Sequence, residues 1–229
     1  ESMFLRYYQT LQAIRIHRLE SQLSLKLPDL AFHLDLLRRL LDYAAEHTLF
    51  IQLDSLDVSS AAASLAVLEK THTMYNNIGY TLPARWKRSF SDAEQLVGMG
   101  IPVRVVKGQW PDSTNHERHL RERYLELIAV LSGRAVKVVV ATHDQWLAQS
   151  ALRRLHDAGT PSELEQMIGL PLAAETFARA RGIPTRLYIP YGYPYLPYNI
   201  RDIWLRPAIM KWMVRDLLLD REGKLVRFQ

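Results

Sequence analysis

Short apolar runs along this chain end repeatedly in a polar or charged residue: Leu25-Lys26, Ile51-Gln52-Leu53-Asp54, Val103-Arg104-Val105-Val106-Lys107-Gly108, Val138-Val139-Val140-Ala141-Thr142-His143-Asp144 and Arg186-Leu187-Tyr188. Amphipathic sequence of helical length separates successive runs. This alternation predicts a parallel sheet with helical crossovers, whose strand C-termini gather the polar groups at one end, where an active site of such an architecture sits.

The pattern predicts a helix over 3–20, a strand at 23–27 closed by Pro28-Asp29, and a helix over 33–47 in which Leu34, Leu37, Leu40, Leu41 and Ala44 recur at helical spacing. A strand follows at 49–53, a helix at 59–75 and a strand at 78–82. Ser91 reads as the cap of a helix over 92–98, which Gly100 and Pro102 terminate. The series continues with strand 103–107, helix 116–131, strand 136–141, helix 145–156, short strand 163–167, helix 170–181 and strand 186–189.

About seven strand–helix units result, with no Gly/Ser-rich linker, so the expectation is a single domain over 1–229. Continuous apolar runs such as Val138-Val139-Val140 suit strands covered on both faces. The expected class is α/β, a (β/α)8 TIM-type barrel whose remaining strand lies upstream of Glu1. An open doubly wound sheet is the competing topology, but the chain has no glycine-rich dinucleotide fingerprint.

Composition narrows the chemistry. The 229 residues contain no cysteine, which excludes disulfides, thiolate metal sites and cysteine nucleophiles, and fits a cytoplasmic setting. The net charge of +5 is spread among acids, as where Arg118, Arg121 and Arg123 stand beside Glu117, Glu122 and Glu126; this is a solvated helix face and not a nucleic-acid stripe. No apolar run is long enough to span a bilayer. His116-Glu117-Arg118-His119 has the wrong spacing for a zincin helix, so no metal site is expected, and there is neither a Gly-x-Ser-x-Gly elbow nor a P-loop. The tyrosines between Tyr188 and Tyr198 are separated by prolines and suit a pocket wall or lid. The apolar positions from Ile209 to Leu218 suit a helix packed on the barrel, or one lying against a membrane or partner.

Val103-Arg104-Val105-Val106-Lys107-Gly108-Gln109-Trp110 resembles the strand-five motif of the proline dehydrogenase family, FAD enzymes built on a (β/α)8 barrel, whose usual form is Arg-Leu-Val-Lys-Gly-Ala-Tyr. Ser24-Leu25-Lys26-Leu27, Leu53-Asp54, Ala141-Thr142-His143-Asp144, Tyr188-Ile189-Pro190-Tyr191-Gly192 and Tyr198-Asn199-Ile200-Arg201 follow the family's order at similar spacing. Glu1 resembles the second residue of a Gly-Glu pair that the family carries after its first strand.

The resemblance implies FAD as cofactor, lined by Ser55, Arg104, Lys107, Gly108, Gln109, Thr142 and His143, with Arg104 beside the reactive edge of the flavin. A permanently charged guanidinium there stabilises electron density arriving on the ring. Asp54 and Arg104 would form the catalytic pair. Lys26 and Arg201 would hold a substrate carboxylate, with Tyr188, Met167 and Asp202 completing the substrate pocket. Two bland readings stand beside these: Thr142-His143-Asp144 as a simple helix cap, and Asp54 as a strand-end carboxylate with a structural partner.

The expected activity is oxidation of the C–N bond of proline or a proline-like secondary amino acid, by hydride transfer to flavin, giving an imine. The implied partners are a small amino acid and a quinone or other electron acceptor, with peripheral contact to an inner membrane left open. Several positions depart from the family. Arg201-Asp202 stands where it has two arginines, and losing one charge-assisted contact to a carboxylate costs about 1.5–3 kcal/mol. Pro83 replaces a flavin-contacting glutamine, Trp110 a tyrosine and Met167 a leucine that packs over the substrate. Asp202 either binds an added amino or hydroxyl group or pairs with Arg206, so the alternatives are an oxidase of a modified or carrier-bound amino acid and a non-catalytic protein that keeps the barrel.

Overall fold

A computed structural model describes residues 2–112, 119–168 and 172–191. Seven strands, β1 (Leu23–Leu25), β2 (Ile51–Leu53), β3 (Ile78–Pro83), β4 (Val103–Val106), β5 (Val138–Ala141), β6 (Ser162–Met167) and β7 (Thr185–Tyr188), pair in parallel in simple chain order. Helix α1 (Ser2–Ile16) precedes them. The crossovers are α2 (Leu34–Glu46), α3 (Val58–Glu69), α4 (Ser89–Met99), α5 (Leu120–Leu131), α6 (Gln145–Asp157) and α7 (Glu175–Arg179), a 3-10 turn at Leu27–Leu30 coming before α2.

Side-chain alternation explains the arrangement. Along each strand one set of residues faces outward and is apolar: Leu25, Leu53, Tyr80, Val103, Val105, Val138, Val140 and Leu164 are all buried within one core with Leu37 and Leu41 of α2, Leu68 of α3, Leu127 of α5 and Leu147 of α6. Each such leucine or valine contributes about 1.5–3 kcal/mol on burial. The other set faces inward and is polar: Ser24, Gln52, Thr81, Arg104, Glu163 and Glu165. The strands are covered on both faces as expected, by helices outside and by this partly polar interior inside. The Val138-Val139-Val140 run is continuous because small apolar Val139 takes an inward position beside the long Arg104 side chain, with which it is in register.

The sheet curls. In a flat sheet β1 and β4 lie three strand spacings apart, about 14 Å, yet Arg104 Nη2 on β4 donates to Ser24 Oγ on β1 at 3.0 Å, and the same guanidinium reaches β6. The seven strands form a curled half-barrel of the TIM type, and the open doubly wound alternative is excluded. Among the described residues β1 and β7 are the two edges. A cleft of about 1350 Å³ is lined from one edge by Leu23–Lys26 and from the other by Thr185–Tyr188, with α1 contributing Tyr7 and Thr10.

Element boundaries differ from the sequence expectation where local chemistry competes with periodicity. Ser91 does not cap α4: the helix starts at Ser89 with Arg88 as its cap residue. The buried Ser89 hydroxyl donates to the Pro83 carbonyl at 2.6 Å, fastening the helix start to the end of β3, and Arg88 pairs with Asp92 across the first turn. Helix α1 stops at Ile16, followed by Arg18 at φ 49°. Helix α3 stops at Glu69, short of Tyr75, where the Thr71 hydroxyl turns back onto the Val67 and Leu68 carbonyls. Helix α7 is limited to five residues. The predicted segment 209–218 and the first part of the predicted helix 116–131 lie outside the described residues.

Candidate active site

Arg104 stands at the centre of the interior. Its inward position on β4 buries it to 2% exposure, a cost a guanidinium repays only with full hydrogen bonding. Nη1 donates to Glu165 Oε1 of β6 at 2.8 Å, Nη2 to Ser24 Oγ and to Asp54 Oδ1 just beyond β2, and Nε to Thr81 Oγ1 of β3 at 3.1 Å. Thr81 in turn donates to Asp54 Oδ1 at 2.8 Å and accepts from Gln52 Nε2 at 3.1 Å. Gln52 needs the space beside Gly79, where a Cβ would come 2.5 Å from its Oε1. The Tyr188 ring of β7 lies 5.5 Å from the guanidinium carbon.

The titration behaviour follows from this packing. Burial alone would lower the Arg104 pKa, but the Asp54 and Glu165 carboxylates reverse that and hold it above its ordinary value. Burial raises the Glu165 carboxyl above the usual range; Arg104 lowers it without cancelling the effect, and the Asp54 and Glu163 charges add to the rise. Burial and the nearby Asp54 charge push the Tyr188 hydroxyl up to about 12, so it stays protonated at neutral pH.

Above this floor lies a cavity of about 270 Å³ lined by Lys26, Asp54, Ser55, Arg104, Gly108, Gln109, Thr142, His143, Met167 and Tyr188, together with Thr81, Glu165 and the apolar Pro83, Trp86, Val106 and Trp110. Ten of the residues singled out in the sequence thus meet at one site. Lys26 forms no ion pair among the described residues, which leaves its ammonium available to an anion. The loop after β4 is shaped by Gly108 at φ 96°, where a Cβ would meet Pro83 Cβ at 2.8 Å; its carbonyl accepts from Arg85 Nε at 3.0 Å. Trp86 Nε1 donates to the Trp110 carbonyl at 2.9 Å.

Lys107 is turned to Asp144, its ammonium 3.3 Å from Oδ2, where Arg121 Nε also donates at 2.5 Å. Asp144 caps α6 as the sequence predicts, accepting from the Leu147 N–H at 3.1 Å. Thr142 and His143 line the cavity, so the motif caps a helix and also faces the cavity. His143 Nε2 accepts the Met167 N–H at 2.9 Å, which fixes the orientation of its ring. Ser55 donates to the Thr81 carbonyl. Arg201 and Asp202 lie outside the described residues.

Sequence reasoning missed Glu165, Thr81, Ser24 and Gln52. The signal for Glu165 was present in Glu163-Leu164-Glu165, two carboxylates on one face of a strand with an apolar residue between them. Glu163 lies one inward position lower and binds Lys137 Nζ at 2.6 Å and Arg186 Nε at 2.5 Å.

No family model matches the chain. It is 26% identical over 227 positions to proline dehydrogenase 1 of Bacillus subtilis subsp. natto, covering 92% of this chain and 74% of that protein. It is 25% identical over 197 positions to proline dehydrogenase of Deinococcus radiodurans, covering 79% and 61%. Among solved structures it resembles proline utilization A from Bdellovibrio bacteriovorus inactivated by N-propargylglycine, with TM-score 0.73 and 18% identity over 96% of this chain. Proline utilization A of Bradyrhizobium japonicum, mutant D778Y, gives 0.68 and 19% over 93%. The chain spans only 28% and 26% of those two larger proteins.

Proposed function

We propose that this divergent relative of the proline dehydrogenases is an FAD-dependent oxidoreductase acting on the CH–NH group of proline or a related secondary amino acid, and that 1–229 forms one barrel domain. The observation that carries this reading is the convergence of Lys26, Asp54, Arg104 and Tyr188, brought from four separate strands or the residues just after them, on one cavity. Similarity to proteins named proline dehydrogenase over 92% of the chain supports it.

The residues fit a flavin. Apolar walls from Trp86, Val106 and Trp110 suit a flat tricycle, and the charged floor suits a ring that gains electron density. When bound, FAD supplies the acceptance of a hydride. Arg104 contributes a fixed positive charge under the cavity, and Asp54 and Thr81 hold its fork in one orientation. Lys26 and Arg201 take the substrate carboxylate by charge-assisted contact. Tyr188 and Met167 pack on the substrate's carbon skeleton, while Ser55, Gly108, Gln109, Thr142 and His143 surround the cofactor; Lys107, turned to Asp144, does not line this cavity. The electron acceptor is a quinone or another oxidant, reached from the cytoplasm by peripheral contact with a membrane. Among the described residues no helix is long and apolar enough to cross one.

The test is anaerobic mixing of the FAD-reconstituted protein with L-proline and a panel of cyclic and N-substituted amino acids. Bleaching of the flavin band by members of the panel is expected. A flavin that dithionite reduces but no amine does would defeat the proposal. Arg201-Asp202 favours a modified substrate over proline itself: Asp202→Arg should improve proline turnover and weaken the native activity, and no change in either removes that motive.

A further inference from the structure

The floor of the cavity holds two carboxylates and one guanidinium. Arg104 meets Asp54 through Nη2 and Glu165 through Nη1, each carboxylate using a single oxygen. Glu165 Oε2 and Asp54 Oδ2 accept no hydrogen bond among the described residues, and neither is among the sealed, unsatisfied atoms of the interior. Both side chains line the cavity. Lys26, the other cation on this wall, pairs with neither of them.

A 4%-exposed carboxylate with one oxygen left open towards a cavity is costly unless something cationic completes it. The group that meets this requirement is an N–H donor carrying positive charge. A neutral hydroxyl would supply the hydrogen bond and leave the charge excess in place, and a second anion would be repelled.

We propose that Glu165 is the residue that recognises the substrate's protonated amine, accepting an N–H bond at Oε2, and that it sets the preference of the site for amino acids over the corresponding hydroxy acids. The inference rests on the oxidoreductase reading above, and names the group that binds the amine there. Lys26 and Glu165 then divide the two charges of a zwitterion: the ammonium of Lys26 takes the carboxylate and Glu165 takes the amine.

The test compares 1-aminocyclopentane-1-carboxylate with 1-hydroxycyclopentane-1-carboxylate. They differ in one substituent, and neither has a hydrogen on the substituted carbon, so neither loses hydride there. Binding to the purified protein is read by calorimetry, and flavin content separately by visible absorbance. The unaltered protein should bind the amino compound at least tenfold more tightly, and Glu165→Gln, which keeps an acceptor for Arg104, should bring the two within about threefold. Equal or tighter binding of the hydroxy acid by the unaltered protein overturns the proposal, as does a preference that survives in Glu165→Gln. If that variant does not fold, the unaltered protein decides by itself. Discrimination by a protein that holds no flavin supports the role of Glu165 while removing the oxidoreductase reading; a flavin-loaded protein without discrimination does the reverse.

Discussion

Arg104 is the side chain on which most of the interior depends, because Asp54, Glu165, Ser24 and Thr81 are all held through it. Arg104→Ala strands the buried Glu165 carboxylate and the half-buried Asp54 carboxylate, and a loss of about 3–5 kcal/mol in urea unfolding is expected. Arg104→Lys keeps the charge without the fork, so the fold should survive while the rate of flavin reduction falls about 100-fold or more in stopped-flow absorbance. A rate near that of the unaltered protein would mean that the charge acts without its geometry. Glu163 gives a pH test. Burial would raise its carboxyl, but Lys137 and Arg186 together bring it below its ordinary value. A depressed carboxyl contributes stability that is fully present above its unfolded pKa, near 4.5, and is lost as pH falls through the folded value. Urea midpoints measured from pH 7 down to 3 should therefore converge for the unaltered protein and Glu163→Gln at the acid end, with the variant about 1–3 kcal/mol less stable at pH 7. At this scale Lys26, Asp54 and Tyr188 were legible in the sequence because each ends or follows an apolar run, and Arg104 because the motif around it resembles a known one. Thr81 and Glu165 were not, because their importance comes from the partner opposite them.

Elements show where periodicity suffices and where it fails. Most of the strands lie where apolar runs predict them, since their outward residues must meet a helix; β6, Ser162–Met167, is instead an alternating strand. The start of α4 was misread because the Ser89 hydroxyl reaches back six residues to the Pro83 carbonyl at the end of β3, a tie that helical periodicity and cap preference do not contain. The start of α6 was read correctly because Asp144 acts on its own first turn. Asp144→Ala should cost about 0.5–2 kcal/mol from the cap, and more from leaving Arg121 and Lys107 without this carboxylate. Chemical denaturation checks the sum, and a neutral effect would show that the cap is dispensable. Gly79→Ala places a methyl group 2.5 Å from Gln52 Oε1. A loss of about 1–3 kcal/mol is expected, with Gln52→Ala in the same chain recovering part of it.

Among the described residues the interior departs from the usual TIM-barrel filling of branched apolar side chains. Polar and charged Ser24, Gln52, Thr81, Arg104, Glu163 and Glu165 share it with apolar Val106 and Val139, while most of the apolar core lies between the sheet and the helices. The sequence carried the strand count and order, because parallel neighbours joined by helices leave few topologies. It did not carry the curl, which rests on contacts such as Arg104 to Ser24 that bridge non-adjacent strands. The central proposal is spatial: a flavin ring would lie over the Arg104 floor, between Tyr188 and the Gly108 loop. A crystal structure of the protein with FAD tests it directly. The account predicts the isoalloxazine within van der Waals contact of Arg104 and Tyr188, with its edge against the Gly108 backbone; a flavin bound elsewhere on the molecule, with these three residues untouched, would contradict it.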